Sequence, residues 1–254
     1  MLATVHVQQW HDWMGDWLRD VRPRWGKIVN PPAGFVMPNV EKTLVRVWTD
    51  DIDTGYITAG RSGGRDFVRS MYSRWRQTPA TAYELANEPD CNTNGGLANL
   101  REYTLGAIEE ATSLGIQLCV LNLPEGNPHD NGTGDAGVSA WKLAQLRPAV
   151  EAAQQAGMYV GLHAYWRPEV EGPTGRWHAL GRVAWTLEQW NVPGLKVLVN
   201  ECGIDGGIAG HPGQQGWQVL TDEARYRAEI VEAETCARRI SGVEALMLFG
   251  FGAM

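Results

Sequence analysis

Cysteine is scarce in this chain: Cys91, Cys119, Cys202 and Cys236 are the only four in 254 residues, scattered and without CxxC spacing. That fits neither a disulfide framework nor a zinc site. Buried or incidental thiols are the default reading, with a single bridge as the alternative. Basic residues are also short, 22 Lys and Arg against 29 Asp and Glu, a formal net charge of −7. Nucleic-acid binding draws its affinity from basic contacts to phosphate, so this balance argues against it. A strongly anionic substrate is mildly disfavoured for the same reason. No stretch approaches the roughly 20 apolar residues needed to cross a bilayer, and no membrane partner is expected. The start, Met1 to Val7, lacks the basic residues and long apolar run of a signal peptide. A trimmed secreted protein would look the same, so localisation stays unknown. Finally, no Gly-rich phosphate loop follows the first apolar run.

What is present is an ordinary globular composition, 44% hydrophobic and 20% charged, enough for a sizeable core. With no low-complexity linker and no second core pattern, residues 1–254 read as one domain. Tryptophan is abundant, with 12 residues. Trp10, Trp13 and Trp17 recur at helical spacing with Met14 and Val21, which predicts one core-facing stripe. Trp48, Trp166 and Trp217 follow strand-like runs or stand in long loops, where an indole face suits either sugar stacking or core filling.

Eight β-rich runs are predicted: Ala3–Gln8, Lys27–Asn30, Thr43–Trp48, Ala82–Asn87, Gln117–Asn122, Tyr159–Tyr165, Lys196–Glu201 and Ala245–Phe251. Most are continuously apolar, the pattern of strands covered on both faces in a parallel sheet. Helical segments separate them. One leads in at Ser62-Gly63-Gly64-Arg65 and runs to Arg76; others span Ala98–Leu114, Val138–Ala156, Arg176–Trp190 and Asp222–Ile240. Pro148 is expected to kink or divide the third of these, and Thr221 or Asp222 to cap the last. Asn30 to Thr43 is too short for a helix beyond one turn. Eight β units and about seven α units in alternation predict an α/β fold, a compact (β/α)8 TIM barrel with a missing or truncated final helix. A doubly wound open sheet is the runner-up, disfavoured by the absent phosphate loop.

Two of the strand-like runs end in glutamate: Glu88 after Asn87, and Glu201 after Asn200. A carboxylate at the end of a buried strand is costly without a partner, and two opposed carboxylates are the machinery of glycosidic bond cleavage. Barrel active sites lie at the C-terminal strand ends. There the chain sets His6 and Gln8, then Arg46, Trp48, Asp50 and Asp51, then Asn87 and Glu88. Asn122 and Glu125, His163 and Tyr165, and Asn200 and Glu201 follow. Asp50, Asp51 and Asp53 read first as solvated loop charge, then as subsite polar groups, and last as a metal site. The loops Pro124–Gly132 and Cys202–Trp217 are candidate cleft walls.

Glu84-Leu85-Ala86-Asn87-Glu88-Pro89, with Glu201 on the seventh strand and His163-Ala164-Tyr165 on the sixth, resembles the clan A retaining glycoside hydrolases. The local string is similar to that of endo-β-mannanases and other endo-β-glycanases. The resemblance implies a TIM barrel that cleaves β-linked polysaccharide or oligosaccharide by double displacement, without metal or cofactor. Glu88 would be the acid/base, a role that calls for a raised pKa, and Glu201 the nucleophile. Asn87 would bond the sugar 2-hydroxyl, Tyr165 and Arg46 would hold Glu201, and His163 would contact a hydroxyl or support its neighbours. Many clan members place a Trp at the end of strand eight; here Phe249 or Phe251 stands instead. Short loops suggest an open cleft and endo-action on mannan or glucan. A phage-type or bacterial cell-wall glycosidase, a non-catalytic carbohydrate-binding barrel, and an unrelated barrel using the carboxylates for proton transfer are the alternatives. Further modules in a longer parent protein are compatible with the ending.

Overall fold

The computed structural model describes residues 1–47, 52–129, 138–168, 171–176, 178–205 and 217–251, with side chains for all but 52–54 and 250–251. Eight strands close into a parallel barrel in chain order: β1 (Ala3–Val7), β2 (Trp25–Val29), β3 (Lys42–Arg46), β4 (Ala82–Glu84), β5 (Leu118–Leu123), β6 (Tyr159–Trp166), β7 (Lys196–Ile204) and β8 (Val243–Phe251). Each pairs in parallel with the next, and β8 returns to β1. This is the (β/α)8 architecture that the alternation of apolar runs and amphipathic segments predicts.

The helices are α1 (Trp13–Val21), α2 (Ile52–Thr58), α3 (Gly60–Arg76), α4 (Asn94–Ser113), α5 (Ala140–Gln155), α6 (Leu180–Trp190), α7 (Trp217–Leu220) and α8 (Glu223–Ala237). No helix joins β2 to β3, as the Pro31-Pro32 start implies. Three helices begin on a side-chain cap. Thr93 accepts from Gly96 N–H, Ser139 from Lys142 N–H, and Asp222 from Arg225 N–H, each satisfying an orphan donor of the first turn. Asp222, rather than Thr221, is therefore the cap of α8. None of the described helices is long and apolar enough to cross a membrane.

Two expectations need correction. Pro148 does not divide α5, which is a single helix from Ala140 to Gln155. Its inner face, Leu143, Leu146, Ala149, Val150 and Ala153, is fully buried, and that packing outweighs the one backbone bond proline removes. The Leu143 carbonyl, a little more than a turn before the proline, accepts the Trp190 indole N–H at 3.0 Å. The N-terminal tryptophan stripe holds only in part: Trp10 and Trp17 pack against the core from its edge, and Trp13 does not. Met14 and Leu18 are fully buried, whereas Trp13 is 48% exposed and Trp10 and Trp17 are half-buried. The helix starts only at Trp13, so the buried stripe falls on the i, i+4 pair Met14 and Leu18.

The barrel interior is layered by the two-residue period of its strands. Trp25, Leu44, Ala82, Cys119, Tyr159, Leu198, Ala245 and Met247 form one buried apolar cluster. Two residues further along several of the same strands stand Lys27, Arg46, Glu84 and Asn200. An apolar floor thus lies directly beneath a charged layer. Gly161 keeps that layer open: a Cβ there would lie 1.9 Å from Asn122 Oδ1 and 2.8 Å from Asn200 Oδ1.

Candidate active site

β7 departs from simple alternation at the point that matters. Leu162 of β6 pairs with Val199, but His163 pairs with Glu201, so one extra residue is inserted at Asn200. Such a bulge re-aims side chains, and here both Asn200 and Glu201 take part in the buried polar layer. Asn200 donates to Glu84 Oε2 at 2.9 Å and to Asn122 Oδ1 at 3.1 Å. Glu201 faces the mouth above them. β5 is irregular in the same layer, with left-handed Leu121 (φ 69°) and Asn122 (φ 42°). Asn122 Nδ2 donates to the Ala86 carbonyl at 2.7 Å, tying β5 to the exit of β4.

Glu88 sits on that exit. Its backbone is left-handed at φ 48°, an uncommon conformation for a residue with a side chain and more so ahead of proline. Its N–H bonds the Asn122 carbonyl at 3.2 Å. Holding a non-glycine residue in this region costs on the order of 1–3 kcal/mol, and such strain clusters at functional sites.

The two glutamates converge. One carboxylate oxygen of Glu88, one of Glu201 and a ring nitrogen of His163 all lie within 4.8 Å of one another. His163 Nδ1 is 2.9 Å from Glu88 Oε1 and 3.6 Å from Glu201 Oε2. The environments of the two carboxyls differ sharply: the Glu88 side chain is 40% exposed and that of Glu201 6%. Glu201 receives Lys27 Nζ at 3.0 Å and Arg46 Nη1 at 3.2 Å on Oε1, and the Tyr165 hydroxyl at 2.9 Å on Oε2. Burial alone would push its carboxyl up. The Lys27 ammonium, the strongest of the opposing influences, holds it well below the usual carboxylate range. The Tyr165 phenol is driven up by burial and then by the charge of Glu201, so it remains a donor.

Around this pair, burial holds the His6 imidazole well below its ordinary value, with Lys27 adding to the effect. Its Nδ1 stands 3.8 Å from Glu201 Oε1. Phe249 of β8 is 39% exposed and meets the rings of His6 and Tyr165 edge-on at 5.0 and 5.8 Å. Its ring thus lies beside two of the groups that face Glu201; the side chain of Phe251 lies outside the described residues. Asn87, beside Glu88, has a buried Oδ1 that meets no hydrogen-bond donor among the described residues. Glu125 is half-buried, and burial followed by the charge of Glu88 raises its carboxyl.

Glu88, His163, Tyr165, Arg46 and Glu201 are thus brought together as their strand positions imply, with Asn87 adjacent. Trp166 is not part of the site. It alternates with Tyr165 to the outside of the barrel, is fully buried, and donates its indole N–H to Glu229 of α8 at 2.8 Å. Trp217 stacks on Tyr226 at 4.7 Å with ring planes 9° apart, so one of its faces is taken. Trp48, Asp50 and Asp51 lie outside the described residues, as do residues 130–137 and 206–216 of the two expected cleft walls.

Sequence reasoning missed Lys27 and Glu84 as parts of the site. Lys27 Nζ lies 2.6 Å from Glu84 Oε2 as well as 3.0 Å from Glu201, and both side chains are buried to 1% exposure or less. The signal was present: one ionisable residue in the middle of each short apolar run, Trp25-Gly26-Lys27-Ile28-Val29 and Ala82-Tyr83-Glu84-Leu85-Ala86, in inward register. Glu88, His163 and Glu201 also form a donor set of the kind that holds a metal ion. Two cations already touch Glu201, so a divalent ion there would face direct repulsion.

No protein-family profile matches the chain, and no curated protein is similar to it in sequence. In three dimensions it is similar to a GH128 (subgroup I) endo-β-1,3-glucanase from Amycolatopsis mediterranei in complex with laminaritriose. That protein is 16% identical, with 98% of this chain and 88% of that chain covered and a TM-score of 0.56. An endo-1,4-β-D-mannanase from Thermotoga petrophila is 11% identical, with 96% and 87% covered and a TM-score of 0.55. A β-1,3-glucanase and pollen allergen of Cryptomeria japonica is 11% identical, with 98% and 88% covered and a TM-score of 0.55. At these identities the likeness establishes a common barrel.

Proposed function

We propose that this chain is a glycoside hydrolase that cleaves internal β-glycosidic bonds of a neutral polysaccharide, of β-glucan or β-mannan type, with retention of anomeric configuration. The observation that carries the reading is the pair of facing carboxyls. An oxygen of Glu88 approaches an oxygen of Glu201 within 4.8 Å, on the scale of the roughly 5–5.5 Å carboxyl separation of retaining enzymes and below the ~6.5–9.5 Å of inverting ones. A binding barrel that had lost turnover would have no need to hold the two so close. The similar solved structures named above, two β-1,3-glucanases and a β-1,4-mannanase, support the substrate class.

Each carboxyl is matched to its task by its surroundings. Glu201, ionised and braced by Lys27, Arg46 and Tyr165, attacks the anomeric carbon. Glu88, at the open mouth, gives its proton to the departing glycosidic oxygen as that bond breaks. In the second half, Glu88 takes a proton from water. The resulting hydroxide displaces Glu201 from the anomeric carbon and restores both groups. Asn87 bonds the sugar 2-hydroxyl with its otherwise unmatched Oδ1, and Phe249 floors the sugar next to the nucleophile. His163, between the two carboxyls, keeps Glu88 turned toward its partner.

The test is hydrolysis of β-1,3-glucan, β-1,4-mannan, xylan and peptidoglycan by wild type, Glu88→Gln and Glu201→Gln, with the first-formed anomer read by NMR. The expected result is activity on one of the first two, a fall of about 10²–10⁴-fold or more in each variant, and a β-anomer formed first. Wild-type activity that survives both substitutions overturns the site assignment, and an α-anomer formed first overturns retention.

A further inference from the structure

Glu84 is a buried carboxylate that the two-step reaction does not use. It stands at the end of β4 within the barrel, opposite Cys119 of β5, whose thiol is driven up by burial and then by Glu84, and its bonding partners belong to the polar layer. Lys27 of β2 reaches its Oε2 at 2.6 Å, Asn200 of β7 donates to the same oxygen at 2.9 Å, and Arg46 Nε of β3 is 3.6 Å from Oε1. Lys27 and Arg46 are also the two cations on Glu201. Two carboxylates therefore share two cations, and with all four charged the layer is neutral. We propose that Lys27 and Glu84 are a positioning pair for Glu201: Glu84 holds the Lys27 ammonium at the centre of the barrel, and Lys27 holds the nucleophile in its ionised, inward-facing rotamer.

The geometry leaves Lys27 no other employment. It is fully buried, and its bonding partners are these two carboxylates alone among the described residues. An ammonium so placed without a counter-ion would lose its proton or refuse to be buried. Glu84 supplies the first counter-charge, and the ammonium can then act on Glu201 from below, away from the substrate. The other groups facing Glu201 are His6 on β1, Arg46 on β3, Glu88 past the end of β4, and His163 and Tyr165 on β6. Cys202, its neighbour in sequence, is buried, and its thiol is driven up by burial and then by Glu201. Among these, Lys27 is the cation lodged most deeply, and Glu84 is the anion beside it.

The proposal rests on Glu201 being the nucleophile for its catalytic meaning, but the charge coupling can be read without catalysis. The Glu201 carboxyl would be followed by ¹³C NMR titration of glutamate-labelled protein, assigned by its absence in Glu201→Gln. Wild type, Lys27→Met, Glu84→Gln and the double variant would be compared, with kcat/KM against pH measured on the same proteins. In Lys27→Met two carboxylates within about 6 Å must share Arg46 alone, so the Glu201 titration is expected to rise by roughly 1–3 pH units. In the double variant the layer is neutral again, and most of that rise should be reversed. A buried ion pair replaced by neutral groups of similar volume is often tolerated, which keeps the double variant foldable. The acid limb of kcat/KM should move with the titration, by the same amount.

A Glu201 titration that Lys27→Met leaves unmoved, or one that stays as high in the double variant as in Lys27→Met, overturns the pairing. If the titrations couple as stated but no glycan is cleaved, the pairing stands and the hydrolase reading falls. If glycans are cleaved and the titrations do not couple, the reverse holds.

Discussion

Gly161 of β6 faces the point where the barrel's polar layer is tightest, and replacing it with alanine tests whether that layer is as rigid as its hydrogen bonds imply. The added Cβ would meet Asn122 Oδ1 at 1.9 Å and Asn200 Oδ1 at 2.8 Å. A clash with a side-chain tip is cheap when the tip can swing away. Here neither can. Asn122 donates to the carbonyls of Ala86 and Cys119 at 2.7 and 3.1 Å and accepts from Asn200, which in turn donates to Glu84. Forcing a methyl group into a filled site costs ~1–3 kcal/mol. Breaking two of these buried hydrogen bonds adds ~1 kcal/mol each. The chain entropy removed from the unfolded state by alanine returns about 0.4–1 kcal/mol. The net loss is therefore about 2–5 kcal/mol, which at this chain length lowers Tm by roughly 5–20 °C. Gly95, in the first turn of α4 with nothing within 4 Å of its added Cβ, is the control, and its alanine variant should melt at or slightly above wild type. Calorimetry or thermal circular dichroism on the three proteins is sufficient. If Gly161→Ala melts with wild type while Gly95→Ala behaves as stated, the Asn122–Asn200–Glu84 chain is not the fixed element described above.

Tyr165→Phe removes one charge-assisted hydrogen bond to Glu201 Oε2 and keeps the ring packed against Phe249. The expected loss is ~1.5–3 kcal/mol of transition-state stabilisation, about 10- to 150-fold in kcat/KM, and a Glu201 carboxyl that titrates higher; an unchanged pH profile refutes it. On the outer surface, Arg61 and Arg65 of α3 hydrogen-bond Glu109 of α4 and lower its carboxyl from 4.5 to about 2. Because the folded value is the lower one, the stabilisation is complete above the unfolded value and fades as pH falls from about 4.5 toward 2. The pair is well exposed, so Glu109→Gln should cost no more than about 1 kcal/mol at pH 7. That difference should shrink in urea titrations at pH 3 and in 1 M salt; a constant difference across both conditions refutes the ionic origin.

The order of the fold was legible because most apolar runs are buried on both sides and α4, α5 and α8 begin on a capping side chain. Strand ends were less so. β4 ends at Glu84 rather than Asn87, since Glu88 must turn into the left-handed region to face Glu201, and no local propensity announces that. The site was legible where a residue stands at or just beyond the end of an apolar run of sequence, as Glu88, His163, Tyr165 and Glu201 do. It was hidden where a residue sits inside one: Lys27 and Glu84 interrupt apolar runs singly, and only barrel closure brings β2, β4 and β7 onto a common centre. The extra residue at Asn200, which turns both Asn200 and Glu201 into the polar layer, follows from pairing with β6 and leaves no mark in composition. Trp166 illustrates the opposite error. Its neighbour Tyr165 points inward, so alternation sends the indole outward to Glu229, and adjacency in sequence placed two residues together that the strand separates.

The apolar floor of Trp25, Leu44, Tyr159, Leu198 and their neighbours closes the barrel beneath Lys27, Glu84 and Glu201 among the described residues. The half-exposed Glu88 stands at the opposite end, toward the mouth. A glycan lying across that mouth would complete the enclosure. With the last solvent contact gone, the screening around the buried charges weakens and each of their attractions strengthens. On the reading proposed here, the substrate would itself serve as the stopper, and the field that holds the nucleophile would peak while the bond to be broken is in place.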